Sequence, residues 1–321
     1  MAITLAEAKV GMADKVDQTV VDEFRRSNLL LDMLVFDNAI SPGTGGSTLT
    51  YGYVQLLTPS TANVRTINSE YVAGEAKRTE KTAKAVIMGG KFELDRVIIG
   101  TDGAVDELAF QMNEKIKATS NYFNNLTING NSANSGSGVL NTFDGLDKIL
   151  TGSQNEFTSQ VDVSTSAKLD ANSNALLDEV DAFISALDGK PSILLMNDKM
   201  LAKMRSAARR AGYYERTKDD FGRYVEAYNG IPMMDMGKYY NGTTTVDIIP
   251  VTEGKTDIYA VSIGLDAFHG ISPTGSKVIS TYMPDLNEPG AVKDGEVELI
   301  AGVVLKNANK AGVLRDITIS E

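Results

Sequence analysis

The spacing of hydrophobic and polar positions along this chain predicts three amphipathic helices. The clearest occupies residues 101–129, where one face carries Val105, Leu108, Met112, Ile116, Thr119, Phe123 and Leu126 at intervals of three and four. Thr101 or Asp102 suits its start and Asn129-Gly130 suits a left-handed exit. Shorter amphipathic patterns predict helices at about residues 172–188 and 197–212.

Short apolar or alternating runs between and after these helices predict β-strands. Residues 192–196 form an apolar run typical of a buried strand, and several short β-type stretches follow between residues 231 and 319. Asn-Gly turns at Asn229 and Asn241 separate some of them. One long helix, scattered strands and no internal repeat together predict an α+β fold.

Residues 46–94 predict an extended two-stranded excursion that cannot bury much of its own surface. Leu49, Tyr51 and Tyr53 alternate with polar residues, and after a charged middle a second extended stretch runs from Lys84 to Leu94. A lone hairpin is only marginally stable in water. We therefore expect this arm to lie on another surface.

Charge and composition exclude several classes of function. The chain has 321 residues, a net charge of −11 and a pI near 4.8. A protein that binds DNA by neutralising phosphates needs a basic surface, and the overall balance here is the opposite. The absence of cysteine excludes disulfides and thiolate metal sites, and fits a reducing cytoplasm. No apolar run approaches the roughly 20 residues of a membrane span.

Motifs that could carry chemistry are incomplete, so the sequence predicts no catalytic, cofactor or metal site. His269 is the only histidine, too few for a histidine-rich metal site or a convincing triad, and a structural or surface role is expected. Asp220-Phe221-Gly222 matches a kinase triplet without its companion motifs, and indicates a turn. The stretch from Gly270 to Lys277 has the wrong order for a phosphate loop. We expect a protein that is not an enzyme.

Three groups of residues are candidates for contacts between subunits. The first group belongs to an apolar patch at residues 29–36, which must be buried either in its own subunit or on a neighbour. Basic residues in the excursion suit either an edge that resists aggregation or intersubunit salt bridges. The basic third helix suits a solvent-exposed face, or an acidic neighbouring subunit. In chain order the candidates are Leu30, Leu31, Leu34, Phe36, Lys77, Arg78, Lys81, Lys84, Arg209 and Arg210.

Several strings, taken with their order, resemble the major capsid protein family of tailed bacteriophages, which has the Hong Kong 97-type fold. "LLDMLVFDNA" resembles the junction between the family's N-terminal arm and its extended loop. "TINGNSANSGSGVLNTFDGLDKIL" resembles the exit from its spine helix, and "LKNANKAGVLRDITI" its closing segment. "PSILLMNDKMLAKMR" followed by "YNGIPMMDMG" resembles the path across its axial domain. The resemblance spans nearly the whole chain.

The resemblance implies both a domain plan and a function. The plan is an N-terminal arm at 1–40, an extended β-hairpin loop at 41–96, a peripheral domain at 97–196 with the spine helix at 101–129, an axial domain at 197–287, and C-terminal strands at 288–321 that return to the peripheral domain. The implied function is self-assembly through hexamers and pentamers into an icosahedral shell around double-stranded DNA. Such a protein belongs in the virion capsid and assembles in the cytoplasm of the bacterial host, without a membrane. Scaffolding, portal and decoration proteins are possible partners.

Two rival interpretations remain open at this stage. An encapsulin-type nanocompartment shell shares the same fold, which by itself does not fix function. A soluble enzyme would need a concave pocket with perturbed carboxylates. Because the predicted spine helix starts near residue 101, we expect no long scaffolding segment before the arm. Crosslinking between a hairpin lysine and an asparagine is not predicted, because the required carboxylate cannot be placed.

Overall fold

The structure is a computed structural model that describes residues 29–40, 49–58, 60–100, 107–134, 142–212, 215–218, 224–273, 279–285 and 287–320. Its helices are α1 (Leu29–Met33), α2 (Arg96–Ile99), α3 (Glu107–Asn129), α4 (Leu146–Leu150), α5 (Ser166–Ser185) and α6 (Asp198–Ala211), with 3-10 turns at Ser132–Asn134 and Ala308–Lys310. The first strands are β1 (Phe36–Asp37), β2 (Thr50–Thr58), β3 (Lys77–Lys84), β4 (Val86–Asp95), β5 (Glu156–Thr158), β6 (Ile193–Met196), β7 (Glu215–Lys218) and β8 (Tyr224–Tyr228). The others are β9 (Ile231–Asp235), β10 (Lys238–Tyr240), β11 (Thr245–Asp247), β12 (Lys255–Val261), β13 (Phe268–Ile271), β14 (Ile279–Tyr282), β15 (Val292–Leu305) and β16 (Ala311–Thr318).

A five-stranded sheet packs against the long helix α3. Its order is β1-β13-β15-β14, and β4 also pairs with β15, antiparallel from Val292↔Asp95 to Ala301↔Val86. Strand β15 alternates buried and exposed residues over its first half, as expected of a sheet with one solvated face. Phe92, Leu94 and Val297 lie on the covered face and pack against Met112 of α3.

A seven-stranded sheet forms the second layer, in the order β5-β16-β12-β6-β9-β8-β7. Strand β6 lies near its centre and is buried at every position, as the apolar run predicted. Side chains of α5 and α6 share one core with this sheet, including Leu176, Phe183, Met200 and Met204. Strands from before residue 197 and after residue 287 therefore share this sheet with the strands between them.

The predicted excursion divides into two parts. Strands β2 and β3 pair only with each other among the described residues, from Thr50↔Lys84 to Thr58↔Lys77. The prediction that Lys84 to Leu94 forms the second strand of this hairpin is wrong, because β4 pairs with β15 instead. The physical reason is that Met88, Phe92 and Leu94 lie on one face of β4 and are buried against the body of the subunit.

The three predicted helices are confirmed, but some of their ends differ from the prediction. Helix α3 is described from Glu107, so its predicted start at Thr101 or Asp102 lies outside the described residues. Its exit is not left-handed as predicted, because Gly130 does not have a positive φ. Helix α5 begins earlier than predicted, capped by the Thr165 side chain. Helix α6 keeps the predicted bounds of 197–212: the Asn197 side chain caps its start, and Gly212 ends it in a left-handed conformation.

Some sequence features fall outside the described residues. These are the first 28 residues, the Asp220-Phe221-Gly222 triplet and the end of the Gly270–Lys277 stretch. Within the described ranges, no helix is both long enough and apolar enough to span a lipid bilayer.

Candidate assembly surfaces

The root of the hairpin is firmly attached to the subunit. Tyr51 is buried, and its hydroxyl donates a hydrogen bond to Asp37 Oδ2 at 2.9 Å. The Lys306 ammonium lies 5.4 Å from the centre of the Tyr51 ring. Tyr51 also packs with Ala85, Ile40, Ile271 and Val304 in a small apolar cluster. This cluster fixes where the hairpin leaves the body.

The outer part of the hairpin has an unusual amount of exposed apolar surface. Val54 and Leu56 of β2 are 60% and 61% exposed. The segment 60–76 beyond the strands exposes Val64, Ile67, Tyr71 and Val72 even more fully. The hydrogen bonds found in this segment are local, such as Ser60 Oγ to the Gly74 carbonyl at 3.0 Å. Apolar surface clustered in this way marks an interaction site.

The four basic candidates of the hairpin all lie on β3 and are exposed: Lys77, Arg78, Lys81 and Lys84. None forms an ion pair with a residue that the structure describes. The strand pairing places Arg78 opposite Leu56, so its side chain leaves the same face as Leu56. This face combines apolar and positive groups.

The apolar patch around α1 is largely used within the subunit. Leu30 and Leu34 are 1% and 5% exposed and belong to the main core, which leaves them no surface for a neighbour. Leu31 and Phe36 are partly buried against the same core. The Phe36 ring lies 6.2 Å from that of Phe123 and above Gly270, where a Cβ would collide with it. For Leu30 and Leu34 the structure favours burial in their own subunit.

Several basic side chains of helix α6 also have partners within the chain. The Arg210 guanidinium contacts Asp170 of α5 at 2.5 Å, and Arg205 contacts Glu226 at 2.7 Å. Lys203 Nζ donates to the carbonyl oxygen of Val163 at 2.7 Å. Arg209 is exposed and pairs with no described carboxylate. Of the two arginines predicted to contact a neighbour, Arg210 is paired within the chain, and Arg209 pairs with no carboxylate among the described residues.

Arg315 of β16 joins three carboxylates, a cluster that sequence reasoning missed. Its Nη1 lies 2.7 Å from Asp147 of α4 and 3.1 Å from Asp257 of β12, and its Nε bonds Glu156 of β5. Tyr259 donates to Asp147 at 3.2 Å. The cluster therefore connects α4, the short helix that follows α3 in the chain, to the seven-stranded sheet. No local pattern could have revealed it, because Glu156 is 159 residues from Arg315.

This cluster is the strongest place to look for an enzyme site, and it does not resemble one. Burial raises the pKa of Asp257, and the Gly152 N–H, followed by Arg315, lowers the pKa of Glu156. The adjacent cleft has a volume of about 300 Å³. Each carboxylate is held by the same guanidinium, which leaves no free acid–base pair aimed at the cleft. Among the described residues, no group of acidic and histidine side chains could hold a metal ion.

The single histidine is buried. His269 is 0% exposed, and neither ring nitrogen has a hydrogen-bond partner in the structure. Its ring meets Tyr51 edge-on at 5.9 Å, beside the hairpin root. Desolvation, followed by the nearby Lys306 charge, lowers the pKa of His269. The side chain is therefore a neutral packing element near neutral pH.

The fold is similar to that of solved shell proteins. A capsid of the native GTA particle aligns with a TM-score of 0.63 at 11% identity, covering 99% of this chain and 100% of that chain. A chain from the structure of Mycobacterium phage Bobi aligns with a TM-score of 0.61 at 13% identity, covering 100% of both chains. The SrpI encapsulin of Synechococcus elongatus PCC 7942 aligns at 0.59 and 15% identity, covering 99% of this chain and 97% of that chain. The Hong Kong 97-type fold implied by the sequence resemblance is confirmed.

The sequence itself decides the family within this class. The model of the SU10 major capsid protein family matches residues 36–237, more than half of the chain. The chain therefore belongs to the SU10 major capsid protein family, and its role is that of a capsid shell subunit. No curated protein sequence matches it.

Proposed function

We propose that this protein assembles through hexamers and pentamers into an icosahedral shell that encloses double-stranded phage DNA. The observation that carries the proposal is the hairpin, whose outer part exposes Val54, Leu56, Val64 and Ile67 while its root is fixed by Tyr51. Removing apolar surface from water is favourable. Because the root of the hairpin is fixed, its exposed apolar side chains are stabilised only when another surface covers them. Repeated copies of the same chain, arranged with closed symmetry, supply that surface.

The domain plan follows from the same proposal. The hairpin acts as the extended loop of segment 41–96, and α3 acts as the spine of the peripheral domain. We assign the segment 197–287 to the axial domain around the symmetry axes. Helix α6 of this segment shares a core with the seven-stranded sheet, which includes its strands β7, β8, β9 and β12, whereas its strands β13 and β14 belong to the five-stranded sheet. Strand β15 and strand β16 of the segment 288–321 extend into the two different sheets. The Arg315 cluster stiffens the connection between the layers.

The net charge of −11 supports the role of a container. A strongly basic wall would hold packaged DNA tightly, whereas an acidic subunit repels it. We propose enclosure without sequence-specific binding, no catalytic activity, and assembly in the cytoplasm of the bacterial host. Scaffolding, portal and decoration proteins are the partners that such a shell would take.

A shell for enzyme cargo is the second candidate, and the similarity to the SrpI encapsulin favours it. The contents of particles isolated from their natural source separate the two. Nuclease-protected double-stranded DNA supports the phage capsid. A protein cargo without DNA supports the nanocompartment.

The proposal is tested by assembly of a variant that lacks the apolar groups of the hairpin tip. Substituting serine for Val64, Ile67 and Val72 should leave the folded subunit intact, because these side chains are 74% to 100% exposed. We expect assembled particles measured by light scattering to fall sharply. The matched control is Val97→Ser, which removes an apolar side chain that is 66% exposed on α2. Equal assembly of the wild type and the triple variant would refute the role given to the hairpin.

A further inference from the structure

The base of the hairpin lies on one face of the five-stranded sheet, and His269 belongs to that face. In the ladder of β13 and β15, His269 lies opposite Val304. Two residues further along, Ile271 lies opposite Gly302, on the same face. A Cβ on Gly302 would lie 2.5 Å from the Lys84 carbonyl oxygen, so the end of β3 rests directly on this face. The His269 side chain is therefore directed at the hairpin root.

The Tyr51 ring of β2 packs against His269. The two rings meet edge-on with their centroids 5.9 Å apart, and His269 is 0% exposed. Neither ring nitrogen of His269 has a hydrogen-bond partner among the described residues. Burial without a partner is unfavourable for a polar atom, and water would bond these nitrogens if the Tyr51 ring moved away. Opening of the hairpin root therefore improves the surroundings of His269.

The charges near His269 oppose its protonation while the root is closed. Burial lowers the pKa of His269 first, and the ammonium of Lys306, which lies 5.4 Å from the centre of the Tyr51 ring, lowers it further. The groups that act in the opposite direction are the Ala267 carbonyl and the carboxylates of Asp37 and Asp266. Burial raises the pKa of the Tyr51 hydroxyl, which stays protonated and donates to Asp37.

Proton binding by His269 and opening of the hairpin root are therefore coupled. When Tyr51 leaves the sheet, His269 meets water, and its pKa returns towards the value of about 6.5 for an exposed imidazole. The open state then binds a proton more readily than the closed state, so lowering the pH shifts the equilibrium towards the open state. For one proton the shift is at most about tenfold per pH unit. It begins near pH 6.5 and stops growing below the pKa of the closed state.

We propose that His269 is an acid-sensitive release for the hairpin: the root is anchored near neutral pH, and protonation of His269 favours a state in which Tyr51 has left the sheet. The release occurs in the unassembled subunit, so it does not depend on shell formation. Its consequence for assembly rests on the proposed function, because a hairpin with an open root no longer presents Val54 and Leu56 in a fixed position.

Hydrogen exchange of the dilute, unassembled full chain at pH 7.5 and pH 5.0 tests the release. Each measured rate is divided by the intrinsic rate at the same pH, which gives a protection factor. Between the two pH values we expect protection in β2 and β3 to fall by about tenfold. Protection in α6 reports unfolding of the whole subunit and should fall much less.

Two variants assign the effect to His269. The variant His269→Phe keeps a ring beside Tyr51 and cannot be protonated, so the extra loss in β2 and β3 should disappear. Lys306→Met removes the cation that opposes protonation of the closed state, so the loss should become smaller than in the wild type. The matched control is Lys199→Met, which removes an exposed lysine on α6 and should keep the wild-type loss. The readout is the ratio between the two pH values within each variant, so a change in packing that acts equally at both does not enter.

The release is overturned if β2 and β3 of the wild type lose no more protection than α6. It is also overturned if His269→Phe retains the wild-type loss, or if Lys306→Met changes the loss no more than Lys199→Met does. A chain that shows the acid-dependent loss but forms neither rings nor shells would support the release and contradict the proposed function.

Discussion

The backbone N–H of Gly145 donates a hydrogen bond to the carbonyl oxygen of Gly130 at 2.8 Å, just beyond the end of α3. A Cβ on Gly145 would lie 2.5 Å from the Ile128 oxygen, and one on Gly130 would lie 2.5 Å from the Leu126 oxygen. The two backbones approach so closely that neither position has room for a side chain. This contact ties the end of the long helix to the segment that leads into α4.

Alanine at Gly130 or Gly145 should therefore destabilise the subunit by about 2 to 3 kcal/mol, since the atoms in the way are backbone atoms that cannot turn aside. Chemical denaturation of the unassembled subunit measures the effect. Gly52→Ala is the control, because a Cβ there would meet only the Glu80 carboxylate at 3.6 Å. Unchanged stability of Gly145→Ala would show that the close approach is wrong.

Replacing Arg315 by methionine should destabilise the subunit by about 2 to 3 kcal/mol. The change leaves Asp257, Asp147 and Glu156 close together without their shared cation, and the side chain of Arg315 is only 20% exposed. Thermal unfolding at neutral pH measures this loss. The control is Arg209→Met, which removes an exposed arginine and should change stability by less than about 0.5 kcal/mol. Similar losses in both variants would contradict the role of the cluster.

Removing the Tyr51 hydroxyl should loosen the hairpin root without unfolding the subunit. Tyr51→Phe retains the ring but loses the 2.9 Å hydrogen bond to Asp37, worth about 1 kcal/mol. Hydrogen exchange should become faster in β2 and β3, and remain unchanged in α6. Tyr53→Phe on the same strand is the matched variant, because no described residue bonds its hydroxyl. Exchange rates that rise equally in both variants would argue against this anchor.

His269 should make the subunit less stable in acid. Its pKa is lowered in the folded state, first by desolvation and then by Lys306, so the unfolded chain binds the proton more readily. Stability is then lost as the pH falls below about 6.5, and the loss stops growing below the folded pKa. Asp37, Asp266 and Tyr51 also face this site, and the two carboxylates partly oppose the shift.

His269→Phe keeps a ring beside Tyr51 and removes the titrating group. Unfolding midpoints measured from pH 7.5 downwards should fall more steeply for the wild type than for this variant. The carboxylates titrate in both proteins, so their contributions cancel when the unfolding midpoints of the wild type and the variant are subtracted. Parallel curves would show that His269 is not the group responsible.

Features that depend on local spacing were predictable from the sequence. The bounds of helix α6, from its cap at Asn197 to its end at Gly212, agree with the predicted range 197–212, since each end is set by residues within one turn. The buried strand β6 was visible as an apolar run. The Hong Kong 97-type fold came from resemblance in the order of several strings, which periodicity alone would not supply.

Features that depend on distant partners were not predictable. Only the pairing of β4 with β15, some 200 residues apart, shows that the hairpin ends at Ala85. The burial of Leu30 and Leu34 depends on a core built mostly from later segments. The Arg315 cluster arises in the same way, because its residues lie on a helix and three strands that are far apart in sequence.

Electron microscopy of the purified chain, expressed alone and with a candidate scaffolding protein, is the most direct test of shell assembly. We expect closed shells, or rings of five and six subunits, in which other copies of the chain cover the exposed apolar side chains of each hairpin. A monodisperse small protein at high concentration under both conditions, with no rings or shells, would contradict it.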